Sequence, residues 1–335
     1  MALKLLANTP LSVLDLAPIL EGQTPADTFR QSAALARAVE GWGYRRYWLA
    51  EHHNMASVAS SATVVLMGFI AGATQAIRVG SGGIMLPNHA PLVVAEQFGT
   101  LASLYPGRID MGLGRAPGTD QLTARALRRD IRGGSDFVRE IQELRTYLSA
   151  ENRTSAVRAV PGEGLDIPMW ILGSSTDSAL LAGALGLPYA FASHFAPTHF
   201  EEAIHLYRQN FRPSADLDAP YIMAGINVVA AATNAAAQRL ATSYYLLVRG
   251  IITGQRRALQ PPVDSLEGML QDYELAAIEQ MTAYAFVGDG ATIGAGLAAF
   301  VARTGVDELI VASHIYDPEA RQESYRLLGQ LTGGN

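Results

Sequence analysis

The sequence predicts a closed (β/α)8 barrel, an α/β fold, and two observations support this prediction. Short apolar segments alternate along the chain with patterns typical of helices, and about eight such pairs can be counted. The chain has 335 residues, of which 49% are hydrophobic, and this size is within the range of one barrel with insertions. We therefore expect a single domain over residues 1–335.

The first βα unit is marked at both ends of its helix. Residues 11–16 are predicted to form a strand. Thr24 and Pro25 then favour a helix start, because threonine caps helix N-termini and proline suits the first helical position. Apolar residues recur at three- and four-residue spacing until Gly43, which is typical of a helix end. Residues 47–50 begin the second unit.

The same alternation continues along the rest of the chain. Helices are predicted at residues 60–74 and 91–105, and Pro106-Gly107 ends the second of them. The remaining strands are predicted at residues 77–81, 108–113, 168–172, 189–192, 221–229 and 308–311. Eight βα units of this kind favour a closed parallel barrel over an open sheet.

Two stretches interrupt the alternation. Residues 114–134 follow the fourth strand and are rich in Arg, Gly, Thr and Asp, whereas residues 251–285 precede the last βα unit. Long insertions in a barrel are usually functional or disordered. We expect both insertions, after strand 4 and before strand 8, to close over the mouth of the barrel and exclude water.

Composition excludes several classes of function. The net charge of −6 is modest and unclustered, so neither nucleic acid nor a membrane surface is an expected partner. The N-terminal residues lack a signal-peptide pattern and no apolar run is long enough to span a bilayer, which predicts a soluble, cytoplasmic protein. Because the chain has no cysteine, it has no disulfide, no thiolate nucleophile and no zinc site built on sulfur.

Polar residues follow several predicted strands, where a barrel places its active site. Glu51, His52 and His53 follow the second strand, and His194 follows the sixth. Successive side chains of a strand point to opposite faces, so one of the two adjacent histidines is a site candidate and the other packs elsewhere. The alternative is a pair of hydrogen-bonded loop histidines.

Glycines and serines follow the third and fifth strands. Gly82-Gly83 would let a flat ligand approach the backbone closely, although an ordinary β-bulge is the alternative. Residues 173–178 precede a helix whose N-terminus offers N–H groups and hydroxyls to an anion. Arg115 follows the fourth strand and supplies a matching guanidinium for a phosphate. A plain helix cap at the serines is the alternative.

Other chemical motifs do not match. The spacing Gly112-x-Gly114-x-x-x-Gly118 is wrong for a dinucleotide fingerprint, and the chain has no Walker-type Gly-Lys-Ser/Thr sequence. Glu51, His52 and His53 lack the additional ligands that a metal would need, so we expect no metal site.

Four ordered motifs resemble those of the bacterial luciferase-like, flavin-dependent monooxygenases. They lie at residues 44–54, 78–89, 106–115 and 173–175. Within this family the chain is similar to the single-chain luciferase-like monooxygenases of bacteria. The resemblance implies a (β/α)8 barrel that takes reduced FMN from a separate flavin reductase and uses molecular oxygen to oxygenate a small organic substrate.

The resemblance also implies roles for single residues. His52 matches the catalytic histidine, and Gly82-Gly83 matches a pair that can hold a non-prolyl cis peptide under the isoalloxazine ring. FMN is expected rather than FAD or NAD, because one anion site suits a single terminal phosphate. The residues that match the phosphate contacts or lie in the same serine run are Arg115, Ser174, Ser175 and Ser178.

The sequence also departs from the family pattern. Gly114 stands where luciferase has a reactive cysteine, and residues 251–285 have no clear counterpart, so aldehyde oxidation and light emission are not carried over. Two alternative functions remain open: a flavin-binding barrel protein without turnover, and a deazaflavin-dependent two-electron oxidoreductase. We expect a homo-oligomer, a dimer at least, because residues 64–70 are apolar on all faces of their predicted helix.

Overall fold

A closed barrel of eight parallel strands forms the centre of the protein. The computed structural model describes residues 6–116, 120–128 and 136–332. The last barrel strand pairs with the first and with the seventh, and this closes the sheet. The barrel strands are β1 (Leu11–Asp15), β2 (Arg46–Leu49), β3 (Arg78–Ser81), β5 (Ile109–Gly114), β6 (Met169–Gly173), β7 (Tyr189–Phe191), β8 (Ile222–Ala230) and β10 (Glu308–Ala312). The predicted fold class is therefore confirmed.

Two short strands were not predicted. β4 (Ile84–Met85) pairs with the end of β5, and β9 (Ala285–Gly288) pairs with the C-terminal half of β8. β8 is nine residues long, and its first half already pairs with β10, so its second half extends beyond the barrel. That extension offers unpaired backbone groups, which β9 satisfies.

Helices surround the barrel, and most of them bury their inner faces against it. They are α1 (Pro25–Gly41), α2 (Thr63–Ala73), α3 (Pro91–Leu104), α4 (Gln121–Ala126), α5 (Phe137–Leu148), α6 (Thr176–Leu185), α7 (Phe200–Asn210), α8 (Asn234–Ile252), α9 (Asp272–Met281), α10 (Gly290–Thr304) and α11 (Pro318–Gly329). α1 begins as predicted, with Thr24 as its cap, and ends two residues before Gly43, whose φ is 79°. No helix in the described part of the chain is long and apolar enough to cross a membrane.

The two predicted insertions are only partly described. Within residues 114–134, α4 is described, whereas residues 117–119 and 129–134, including Gly118, lie outside the described residues. The second insertion contains α9 and a segment that docks through Leu259. The Leu259 backbone N–H donates to the Ile19 carbonyl, and its carbonyl accepts from Glu21, each at 2.8 Å. Because this loop follows β1, the insertion lies beside the mouth of the barrel.

The amino end of the barrel holds a buried ion network. The Arg46 side chain bonds to Asp110 at 2.7 Å and to Glu308 at 3.0 Å, and both carboxylates are fully buried. Arg46, which in the sequence belongs to a short basic pair, is therefore an internal residue. Burying charges is costly unless they are paired, so these residues fix one another in place. The network seals the end opposite the candidate site.

Candidate active site

Glu51 is the centre of a hydrogen-bonded cluster at the mouth of the barrel. Its Oε1 lies 2.8 Å from His53 Nε2, 2.9 Å from His89 Nε2 and 3.3 Å from Asn88 Nδ2. Its Oε2 accepts from the Met85 backbone N–H at 3.0 Å. Burial alone would raise the pKa of Glu51, but these donors outweigh it and lower the pKa below its usual value. The fully buried carboxylate is therefore ionised at neutral pH.

His52 does not belong to the Glu51 cluster. Its backbone N–H donates to the Ser60 carbonyl at 2.9 Å, and its Nδ1 is buried with no hydrogen-bond partner among the described residues. Burial and the charge of Arg256 lower the pKa of His52. The imidazole is therefore held neutral at pH 7, which suits a group that accepts a proton.

His52 and His53 have different surroundings, as the sequence suggested, but the strand alternation does not explain this. β2 ends at Leu49, so both histidines lie on the following loop. His53 bonds to Glu51 instead of packing against loops. A substitution of His53 is therefore unsuitable as a control for a substitution of His52, because it would disturb the Glu51 cluster.

The peptide between Gly82 and Gly83 is cis, which confirms the expectation drawn from the family resemblance. The structure gives packing reasons for glycine at both positions. A Cβ at Gly82 would lie 2.6 Å from Leu14 Cδ1, and a Cβ at Gly83 would lie 2.9 Å from the Gly112 carbonyl oxygen. Neither position accepts a side chain in this arrangement, and this holds whether or not a ligand lies on the peptide.

The serine run forms the N-terminus of α6. The Ser175 hydroxyl caps the helix by accepting from the Ser178 N–H, while the Ser178 hydroxyl donates to the Ser175 carbonyl at 2.7 Å. A Cβ at Gly173 would lie 2.0 Å from Ser178 Oγ, so the glycine is required by the inward fold of that hydroxyl. Ser174 precedes the cap and is half-buried. The serines therefore do form a helix cap, which was the alternative interpretation. The helix end nevertheless retains N–H groups that can bind an anion.

Arg115 lies at the same helix end. Its guanidinium is 3.6 Å from the Asp177 carboxylate, and both side chains are largely exposed. An exposed pair of this kind contributes about 1 kcal/mol or less. The structure thus brings together Arg115, Ser174 and the N-terminus of α6, although they are far apart in the sequence.

Gly114, where luciferase has a reactive cysteine, is closely covered in this chain. A Cβ at this position would lie 2.8 Å from the sulfur of Met85. The methionine side chain fills the space that a cysteine would use. Met85 is also the residue whose backbone N–H binds Glu51.

A second group of polar side chains lies across the mouth and was largely missed by the sequence analysis. Asn227 donates to the Tyr244 hydroxyl at 2.7 Å and to the His194 carbonyl, and the rings of Tyr244 and His314 stack with centroids 5.3 Å apart. Asn227 Oδ1 and the Nδ1 atoms of both histidines are buried without partners among the described residues. Only His194 was a sequence candidate, because Asn227 lies inside an apolar strand.

These two histidines are neutral hydrogen-bonding groups. Burial, together with His314 and His52, lowers the pKa of His194 to about 3. Burial and the nearby Arg321 lower the pKa of His314 to about 4, with Asp15 acting in the opposite direction. Neither ring carries a charge at neutral pH. No group of metal-ligating residues occurs in residues 6–116, 120–128 and 136–332.

Comparisons with known proteins show the family to which the chain belongs. The family model described as luciferase-like monooxygenase matches residues 10–308. The chain is 53% identical to the uncharacterized protein YvbT of Bacillus subtilis, over 97% of each chain. It is 50% identical to a luciferase-like monooxygenase of Escherichia coli, over 94% of this chain and 95% of the relative. The chain belongs to the luciferase-like monooxygenase family, whose members are oxidoreductases.

Solved structures show the same fold. The crystal structure of apo-MsnO8 is 35% identical, covers 98% of this chain and 99% of its own, and has a TM-score of 0.87. Two more distant structures share the fold alone. One is a type II Baeyer-Villiger monooxygenase in complex with FMN, with a TM-score of 0.72 at 16% identity. The other is an F420-dependent secondary alcohol dehydrogenase, with a TM-score of 0.70 at 14% identity.

Proposed function

We propose that this protein is a flavin-dependent monooxygenase that uses reduced FMN and molecular oxygen to oxygenate a small organic substrate. The observation that carries the proposal is the placement of Arg115 at the N-terminus of α6. A guanidinium at a positive helix end binds a terminal phosphate. The same mouth contains the Gly82-Gly83 peptide, on which a flat ring can lie, and His52.

The residues present fit FMN. Arg115, Ser174 and Ser175 would hold the phosphate, and Gly82 and Gly83 would support the ring. The Ser178 hydroxyl is committed to the Ser175 carbonyl, so we assign Ser178 a role in shaping the cap. When bound, reduced FMN supplies the electrons that activate oxygen.

The remaining residues of the mouth serve the substrate. His52, whose pKa is lowered, accepts a proton from the substrate or the flavin at a ring nitrogen. His194, Asn227 and His314 have unpartnered buried polar atoms, and such atoms are costly unless a ligand or water completes them. We propose that they bind polar groups of the substrate. The docked segment around Leu259 excludes water from this side.

Partners follow from the same proposal. FMN must be reduced before it can react with oxygen, and a separate flavin reductase supplies it in that form. A second copy of the chain covers the exposed apolar residues of α2 and α3, which gives a homodimer. We further propose that residues 1–335 act as one domain.

Flavin binding and reoxidation test the proposal. FMN should raise the melting temperature more than riboflavin does, because only FMN carries the phosphate, and coenzyme F420 should have no effect. Photoreduced FMN should then reoxidise at a different rate when bound than when free. Stabilisation by F420 instead of FMN would indicate the two-electron oxidoreductase. FMN binding with the reoxidation rate of free FMN would indicate a flavin-binding protein without turnover.

A further inference from the structure

The Gly82-Gly83 peptide is tethered to the end of β2 on both sides. Before it, the Gly82 N–H donates to the Leu49 carbonyl at 2.7 Å. After it, the Met85 N–H donates to Glu51 Oε2 at 3.0 Å. Leu49 and Glu51 are separated only by Ala50, and His52 follows Glu51 directly. The two tethers therefore fix the glycine pair relative to His52.

Glu51 also fixes the segment that follows β4. His89 and Asn88 contact its Oε1, and His53 binds the same oxygen. A buried carboxylate is stable as an anion only when its donors are in place, so each of these contacts restrains the partner that makes it. Both oxygens of the fully buried Glu51 carboxylate are engaged by protein donors, so we assign it no contact with the ligand.

We propose that Glu51 is a positioning residue of the flavin site, which holds the Gly82-Gly83 peptide at a fixed place and distance from His52. His89 and Met85 are the groups through which it acts. This inference rests on the proposed function, because it assumes that the flavin ring lies on the glycine pair.

The chain contains a matched control for Glu51. Glu40 is also a carboxylate that accepts backbone N–H groups beside β3, namely those of Gln75, Ala76 and Ile77. Glu40 belongs to α1, and its carboxylate contacts the segment before β3 at the amino end of the barrel, whereas the Glu51 carboxylate contacts the segment beyond the end of β3. The substitutions Glu51→Gln and Glu40→Gln each remove one charge from such a contact, and we expect both to lower the melting temperature.

The test measures flavin binding to wild type and to both variants. Dissociation constants for FMN and riboflavin are obtained by flavin fluorescence, and the ring environment by visible circular dichroism of the bound flavin. We expect Glu51→Gln to weaken both ligands by about tenfold, because the glycine pair loses one of the contacts that hold it in place beneath the ring. The ratio of the two constants should stay unchanged, because the phosphate end is untouched. Glu40→Gln should leave the affinities and the spectrum as in wild type.

Two His89 variants keep the test decisive if Glu51→Gln does not fold. His89→Gln retains a donor and should bind flavin as wild type does, whereas His89→Leu should show the losses expected for Glu51→Gln. The proposal is overturned if Glu51→Gln and His89→Leu keep the wild-type affinity and spectrum, or if Glu40→Gln shows equal losses. Wild type that binds no flavin would instead refute the proposed function, and this inference with it.

Discussion

At the residue scale, the surroundings of His52 determine the pKa of its imidazole. Burial and the Arg256 guanidinium lower the pKa of its imidazole, His53 acts in the same direction, and Glu51 acts against them. Arg256 belongs to the second insertion, three residues before the docked Leu259. The insertion therefore affects the protonation state of a residue that lies about two hundred positions earlier in the chain.

The substitution Arg256→Gln should raise the pKa of His52. Removing a nearby cation stabilises the protonated imidazole, so the shift is upward, towards the ordinary value of 6.5. The measurement is a pH titration of the His52 ring signals by NMR. Arg257→Gln removes the same charge from the adjacent position and should have little effect. An equal shift in both variants would contradict a specific effect of Arg256.

The substitution Arg115→Ala should weaken FMN binding by about 1 to 3 kcal/mol, the usual range for a charge-assisted hydrogen bond. Riboflavin affinity should not change, because riboflavin has no phosphate for the guanidinium to bind. Arg125→Ala, which removes an exposed arginine from α4, is the control for net charge. Loss of both ligands to the same extent in Arg115→Ala would place this residue away from the phosphate.

Single residues could be predicted where the sequence marks the end of a strand. His52, the glycine pair and the α6 serines all follow apolar segments, and the structure places them at one mouth. Glu51 and His89 could not be paired from the sequence, because their contact depends on how the segment after β4 folds back. Asn227 could not be predicted as a site residue, because its neighbours in β8 are apolar on both sides.

At the element scale, a buried ion pair helps to hold α11 against the barrel. Arg321 of α11 donates to Asp15 of β1 at 2.9 Å, and Ser32 of α1 donates to the same carboxylate at 2.6 Å. Burial alone would raise the pKa of Asp15, but Arg321, Ser32 and Tyr47 outweigh it and lower the pKa. Asp15 thus links the first strand to the first and last of the described α-helices.

The substitution Asp15→Asn should lower the free energy of unfolding by about 3 to 5 kcal/mol at pH 7, because it leaves Arg321 buried without its counter-charge. Since the folded-state pKa of Asp15 is lowered, its contribution is complete above the unfolded pKa of about 3.9 and is lost as the pH falls through the folded value. Urea denaturation should therefore show the difference from wild type narrowing below about pH 4.

A matched control lies on the same helix. Glu323 and Arg326 form an exposed ion pair on α11, and Glu323→Gln should cost about 1 kcal/mol or less. If Asp15→Asn were as mild as Glu323→Gln, the buried pair would not be what holds α11. The order of the elements was predictable from periodicity, but this long-range pairing was not, because a lone Asp in a strand gives no sign of its partner.

At the scale of the whole molecule, closure of the barrel was predictable because it depends only on the number and order of the βα units. The charged contacts inside the barrel were not predictable. Apolar periodicity cannot identify Asp110 and Glu308 as the partners of Arg46, since each is a charged residue in or beside an apolar strand. The sequence analysis expected the second insertion to close over the mouth. It did not predict that the insertion would form backbone hydrogen bonds with the loop after β1.

The exposed apolar surface of α2 and α3 argues for a homodimer. Leu66, Met67 and Ile70 bury the inner face of α2, while Val65 and Phe69, one turn apart, are 71% and 47% exposed. α3 packs beside α2, with Leu101 Cδ2 3.4 Å from the place of a Cβ on Gly68, so the exposed apolar side chains of the two helices lie on neighbouring elements. Large apolar side chains exposed on neighbouring helices favour an interface there.

Phe69→Glu, and more strongly Val65→Glu with Phe69→Glu, should convert the proposed dimer into a monomer. A carboxylate buried at a two-fold interface faces its own copy, and both desolvation and like-charge repulsion oppose association. Sedimentation velocity at micromolar concentration gives the mass of each species, and the melting temperature shows whether the fold survives. Val157→Glu changes an exposed valine outside these helices and should remain dimeric. A wild-type protein that sediments as a monomer would leave α2 and α3 exposed and would refute the dimer.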